Sequence, residues 1–337
     1  MDWVAGVFDA AQQWVFENTI QPLLFMLGLG GILESGYVAA GWLLVGMLQI
    51  AVICLVIGPL QKWKPVEPVV NKAAVRVDVL YTLIHRLGVF RVAVFFLLTP
   101  LMDSMFGALR LIGFSPLQLD GLLPGVTDIP WVSLLIYLVV FDFVDYWIHR
   151  GQHHFEWWWK LHALHHSQQQ MTMWTDNRNH LLDDVLRDII LVVVAQCIGV
   201  APTQFIAIVA ITQLSESFQH ANLRLWFGSI GERLWISPRF HRRHHSIGIG
   251  HETVQTPKGG KLGHSADARK VVLGGHNFGV LLPWWDMLMG TANFELRYDP
   301  TGIRDQVEPD AHGRVRDYGK GFWSQQWLGI CRLLGRA

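Results

Sequence analysis

The 337-residue chain is 51% hydrophobic, only 16% charged and formally neutral at pH 7, with a mean hydropathy of +0.27. Soluble domains carry about 25% charge, so this composition argues against a freely soluble protein, and zero net charge gives no case for nucleic acid as a partner. Sixteen tryptophans suit the bilayer interface, where an apolar ring and a polar N–H can both be satisfied.

Residues 3 to 15 repeat apolar positions (Trp3, Val7, Phe8, Ala11, Trp14, Val15) at helical spacing opposite Asp9, Gln12 and Gln13, as a helix lying on a membrane or packed on the protein would. The start lacks the basic region of a cleavable signal peptide. Tyr37 to Leu60 is long enough for the ~20 residues a bilayer crossing needs. No Lys or Arg precedes Lys62; Lys64, Lys72, Arg76, Arg86 and Arg91 follow. The positive-inside rule then puts the N-terminus outside and this stretch in the cytoplasm. Val92 to Ile112 is apolar but holds Pro100, Asp103 and Arg110, which leaves a kinked span and a re-entrant hairpin both open. Ile129 to Ile148 returns the chain to the cytoplasm and carries Asp142 and Asp145. Carboxylates in a span usually face a polar interior, and Asp145 stands one helical turn before His149.

Residues 149–166, HRGQHHFEWWWKLHALHH, hold six histidines. His149 and His153 are four apart; His162, His165 and His166 form H-x-x-H-H, and the pattern returns at His241, His244 and His245. On a helix these offsets put imidazoles on one face, and neutral imidazole is the commonest protein metal ligand. Between the two groups, Val185–Gly199 and Pro202–Phe218 read as a helical hairpin ending at Glu216 and His220. The topology gathers all three clusters and His220 at the cytoplasmic mouth. The scattered His85, His251, His264 and His312 read as structural or merely exposed. The C-terminal FWSQQWLGICRLLGR reads as a cationic amphipathic helix at the interface. Cys54, Cys197 and Cys331 lie far apart without zinc-type spacing, so free thiols are expected.

Ligand chemistry narrows the metal. There is no H-E-x-x-H, no cysteine near the clusters and no Glu-x-x-His of the ferritin-like kind. Haem takes only one or two axial ligands. A histidine-rich site for two close ions remains; iron is the natural choice for oxygen chemistry, with zinc, copper and nickel also suited to imidazole.

The motifs DYWIHRGQH, HALHHS, FQHANLRL, SPRFHRRHH, NFG and WWDMLMGT, in that order between Ile129 and Ala292, resemble the fatty acid hydroxylase/sterol desaturase superfamily of membrane di-iron oxygenases. The resemblance implies that His149, His153, His162, His165, His166, His220, His241, His244 and His245 ligate two iron ions. It implies that Asn222 and Asn277 orient ligands or bind weakly. It makes Glu216 a carboxylate ligand or a hydrogen-bond acceptor behind one, and gives His180 a supporting place; His154 falls off the pattern. The implied reaction uses O2 and external electrons, from a reductase, ferredoxin or cytochrome, to hydroxylate a C–H bond of a membrane lipid whose kind is fatty acyl, sterol-like or aminolipid. A desaturase on the same scaffold, a histidine-rich metal transporter and a catalytically dead lipid-binding relative are the alternatives. The expected fold is all-α: a single membrane domain over 1–337 with about four to five spans, a catalytic core over 129–292 and a cytoplasmic histidine-rich helical cap. Residues 247–269 form an insertion, expected to be a lid, a docking surface for the electron donor or a tolerated loop.

Overall fold

The computed structural model describes residues 2–122, 124–255 and 270–336. The described residues are mostly helical. Helix α1 (Asp2–Val15) packs on α2 (Gly30–Trp63): Gln12 Nε2 donates to the Tyr37 carbonyl at 2.9 Å, while Trp3 and Trp14 stay exposed. The polar side of α1 is therefore partly its docking side. Among the described residues two helices, α2 and the later Pro130–His154, are long and apolar enough to cross a membrane, fewer than the four to five spans expected.

Helix α3 (Lys72–Arg86) starts on Asn71, whose side chain accepts the Ala74 N–H. It crosses α2 at Gly46, where a Cβ would fall 1.6 Å from the Arg86 carbonyl oxygen. Lys62, Lys64, Lys72 and Arg76 are exposed or partly exposed. Arg86 is not: it is buried, with Nη2 donating 2.6 Å to Asp176 and 2.9 Å to Ser217. Part of the basic stretch thus joins the core. Residues 92–111 lie in one helix, α4 (Val89–Leu111), running through Pro100 and capped at Ile112, not in a hairpin.

Helix α5 (Pro130–His154) begins on proline, whose missing N–H costs nothing at a helix start, and ends at the extended Phe155. The chain then turns into α6 (Glu156–His166). Helix α7 (Leu181–Ile198) stops at Gly199, left-handed at φ 72°, and α8 (Pro202–Gln219) returns, as the hairpin expectation required. Tyr137, Phe141, Ile148, Leu191, Ile208 and Leu281 form the core between α5, α7 and α8, directly beneath the histidines. Each such side chain contributes about 1.5–3 kcal/mol on full burial.

The short α9 (Pro238–His244) is capped by Ser237, whose Oγ accepts the Phe240 N–H at 3.1 Å. Departing from an all-α chain, β1 (Glu252–Gln255) and β2 (Lys270–Leu273) pair antiparallel, a two-stranded ribbon at the base of the insertion, where β-branched residues favour extended backbone. The rest of the insertion, 256–269 with His264, lies outside the described residues. Helices α10 (Trp284–Met289) and α11 (Phe322–Leu333) complete the fold. Helix α11 docks against α6, with Arg332 buried over the Tyr318 ring and Trp323 and Trp327 exposed. Cys54, Cys197 and Cys331 are all free thiols.

Candidate metal centre

Four helices bring nine histidines together. Helix α5 delivers His149 and His153, α6 delivers His162, His165 and His166, α8 ends at His220, and α9 supplies His241, His244 and His245. All nine are buried. Their nitrogens fall into three convergent groups: His149, His153, His162 and His166; His165, His220, His241 and His245; and His166, His244 and His245.

The backs of the rings fix which nitrogen faces forward. His149 Nδ1 lies 2.9 Å from the Phe278 carbonyl, His220 Nδ1 2.7 Å from the Glu216 carbonyl and His244 Nδ1 2.8 Å from the His276 carbonyl. His162 Nδ1 lies 3.0 Å from the Asp183 carboxylate. Carbonyls and carboxylates only accept, so each Nδ1 carries the proton and each Nε2 presents a lone pair. The Nε2 atoms of His149, His162 and His244 are buried without a protein partner. His153 and His166 Nε2 are 3.1 Å apart, His165 and His220 Nε2 3.1 Å, His220 and His241 Nε2 3.0 Å, and His241 and His245 Nε2 3.2 Å. Two imidazoles at right angles on one ion, with bonds of about 2.1 Å, sit about 3.0 Å apart. Burial, and then the neighbouring imidazoles, hold His165, His166, His241 and His245 well below the ordinary histidine range. Neutral rings with buried forward lone pairs are the chemistry a cation satisfies, so the residues present fit metal ions.

The scaffold behind the rings is carboxylate-rich. Asp183 binds three groups: Gln152 Nε2 at 2.8 Å, Trp158 Nε1 at 2.6 Å and His162. Asp142 accepts from Leu281 N, Leu282 N and Trp285 Nε1 at 2.7, 3.1 and 2.9 Å. Asp286 accepts from Phe278 N and Gly279 N. These two carboxylates pin the 278–286 loop so that the Phe278 carbonyl meets His149. The arginines of α9 point away from the histidines into ion pairs: Arg239 with Glu232, Arg242 with Glu67, and Arg243 with Asp299 and Glu295.

Several expected site residues stand elsewhere than the sequence places them. Asp145 does not hold His149; its carboxylate takes Arg187 Nε at 2.9 Å, because the Phe278 carbonyl already occupies the back of that ring. Asn222 is turned away from the rings, accepting from Val66 N and Glu67 N and donating to the Glu67 carbonyl. Asn277, left-handed at φ 62°, bonds Phe240 O, Asn293 O and Asn293 N. Both asparagines brace loops. Glu216 joins none of the convergent groups; it lines the chamber beside them, with Arg187 at 3.8 Å. His180 lies off the site, accepting the Leu182 N–H at the start of α7 and contacting the Gln326 carbonyl, and His154 is exposed.

Other residues join the site without any mark in the spacing. Of the Trp157–Trp159 run only Trp157 is strongly exposed; Trp158 serves Asp183, and Trp159 packs on His153 and His166. His251, from the base of the insertion, is buried, stacks on Trp159 at 5.2 Å and lies 5.6 Å from His166. His85 is structural, bridging the Tyr81 carbonyl and Asp184.

The buried imidazoles converge at the end of an apolar helix and form a histidine-rich site suited to metal ions. Residues 134–291 match the family described as fatty acid hydroxylase. The chain is also similar to the ornithine lipid hydroxylase OlsE of Rhizobium tropici, 26% identical over 193 residues, covering 57% of this chain and 49% of the relative. The match therefore spans about half the length of that relative. No solved structure matches.

Proposed function

We propose that the protein is a membrane-bound di-iron lipid hydroxylase acting on an amino-acid-headed lipid of the ornithine-lipid kind. The observation that carries the reading is the convergence of buried imidazole nitrogens from His149, His153, His162, His165, His166, His220, His241, His244 and His245, inside a segment that matches the fatty acid hydroxylase family. His149, His153, His162 and His166 hold one ion and His165, His220, His241 and His245 the other, with His244 converging on the boundary through His166 and His245. Bound iron supplies the activation of O2 that an unactivated C–H bond requires. The chain's own part is to keep the rings neutral, hold each lone pair forward and place one carbon of the lipid beside them. The Phe278, His276 and Glu216 carbonyls and Asp183 do the holding. Electrons come from a separate donor protein on the cytoplasmic face. Helices α4, α7 and α8 join α2 and α5 in the membrane, with the N-terminus outside. The test compares lipids of cells making the wild-type protein or His165→Ala, in air and at low oxygen. A lipid that gains one oxygen atom only with the wild type and only in air supports the reading. Metal accumulation without any oxygen-dependent lipid product overturns it.

A further inference from the structure

The cavity beside the histidines is polar: Ile148 and Val280 are its only apolar lining residues among those described. A separate apolar chamber, walled by Phe141, Leu191, Phe205 and Ile208, adjoins it, and both are lined by Asp145 and Arg187. An acyl chain leaving the bilayer finds an apolar surrounding again in the apolar chamber, whereas in the polar one it would leave buried polar groups without partners. The polar chamber also holds groups of both charge signs with capacity to spare. Asp176 is buried with Oδ1 unpartnered, its Oδ2 taken by Arg86 and Ser217. Asn177, its buried neighbour, has an unpartnered Nδ2. Asp176, Asn177, Glu216 and Arg187 line a recess next to the polar chamber, and Asp176, Glu216 and Arg187 line both. Glu216 meets Arg187 only at 3.8 Å, beyond hydrogen-bond reach. The recess thus offers acceptors (Glu216 and Asp176 Oδ1) next to donors (Arg187 and Asn177 Nδ2).

Resting on the hydroxylase reading above, we infer that this recess binds the zwitterionic head of an amino-acid-headed lipid, its ammonium on Glu216 and Asp176 and its carboxylate on Arg187 and Asn177. The acyl chain then lies in the apolar chamber, and the head group, not the chain, is presented to the histidines. Glu216 and Arg187 are specificity-determining residues in this arrangement.

The test measures binding anaerobically, without reductant, to the metal-loaded full chain in lipid nanodiscs. The probes are N-palmitoylornithine, its δ-N-acetyl derivative and its methyl ester. A charge-assisted hydrogen bond contributes about 1.5–3 kcal/mol, so each modification weakens wild-type binding about tenfold or more. Glu216→Gln reduces the discrimination against the acetylated lipid, leaving the part that Asp176 carries, and keeps that against the ester. Equal wild-type binding of all three lipids, or none of the zwitterion, overturns the inference, and neither result depends on Glu216→Gln folding. Tandem mass spectrometry of the aerobic product separates the two claims. Oxygen on the acyl fragment overturns the head-group site and leaves a hydroxylase. Selective binding with no oxidised product overturns the hydroxylase reading and leaves the site.

Discussion

Asp183→Asn isolates the contribution of one hydrogen bond to metal binding. The Asp183 carboxylate gives one oxygen to Gln152 and Trp158 and the other to His162 Nδ1. Asparagine must turn its NH2 toward one side. Facing Gln152 and Trp158 it meets two donors; facing His162 it meets one, and that is the less costly choice. The His162 Nδ1 must then become the acceptor, which moves the ring proton to Nε2, the atom that faces forward. Replacing such a partner behind a metal-bound histidine typically costs 10–100-fold in affinity, or about 1.4–2.7 kcal/mol. The assay is iron content and chelator competition on detergent-purified protein, with thermal melting of the metal-free form alongside. The expected result is a 10–100-fold loss of affinity for part of the bound metal. Affinity equal to wild type at equal yield refutes the tautomer argument.

His165→Ala or His244→Ala is expected to abolish lipid oxidation and lower bound iron while the protein stays in the membrane, checked by metal analysis of washed membranes. Burial depresses the pKa of His165, His166, His241 and His245, so the unfolded chain binds protons first as pH falls. Stability is full above about pH 6.5, the unfolded histidine value, and declines below it by up to roughly 1.4 kcal/mol per pH unit per histidine, visible in melts between neutral and mildly acid pH. Gly46→Ala drives a Cβ into the Arg86 carbonyl, separating α2 from α3. It is expected to cost about 1–3 kcal/mol and to lower yield in the membrane. Arg178→Met strands the buried Asp78 carboxylate, which Arg178 Nη1 meets at 2.8 Å. A loss of about 3–5 kcal/mol follows, measured as a lower melting temperature.

What is legible in the sequence is local. Histidines three and four apart share a helix face, so His149 with His153 and His162 with His165 and His166 group by spacing alone. The apolar runs of α2 and α5 and the hairpin of α7 and α8 are readable for the same reason. Partners that arrive from distant segments are not. Asp145 sits at the right helical offset from His149, yet the Phe278 carbonyl, 129 residues on, reaches that ring. Asp183 belongs to an Asp-Asp pair at the start of α7, where acids ordinarily favour the helix dipole; only the fold brings it beneath His162. Asn222 lies two residues from His220 and by position looks like a ligand neighbour, whereas its amide closes on Val66 and Glu67. His251 has no spacing signal, because the turn that buries it depends on Gly250, where a Cβ would lie 1.5 Å from the His244 carbonyl oxygen. The EWWWK run looks like an interfacial anchor by composition, but the fold turns Trp158 and Trp159 inward.

The most direct measurement supplies isotopically heavy O2 to the purified, iron-loaded protein with a reducing system and an amino-acid-headed lipid, followed by mass spectrometry. One heavy oxygen atom in the lipid, absent with His165→Ala, is the predicted result. A lipid that only loses two hydrogens, or that carries oxygen from water, contradicts the account.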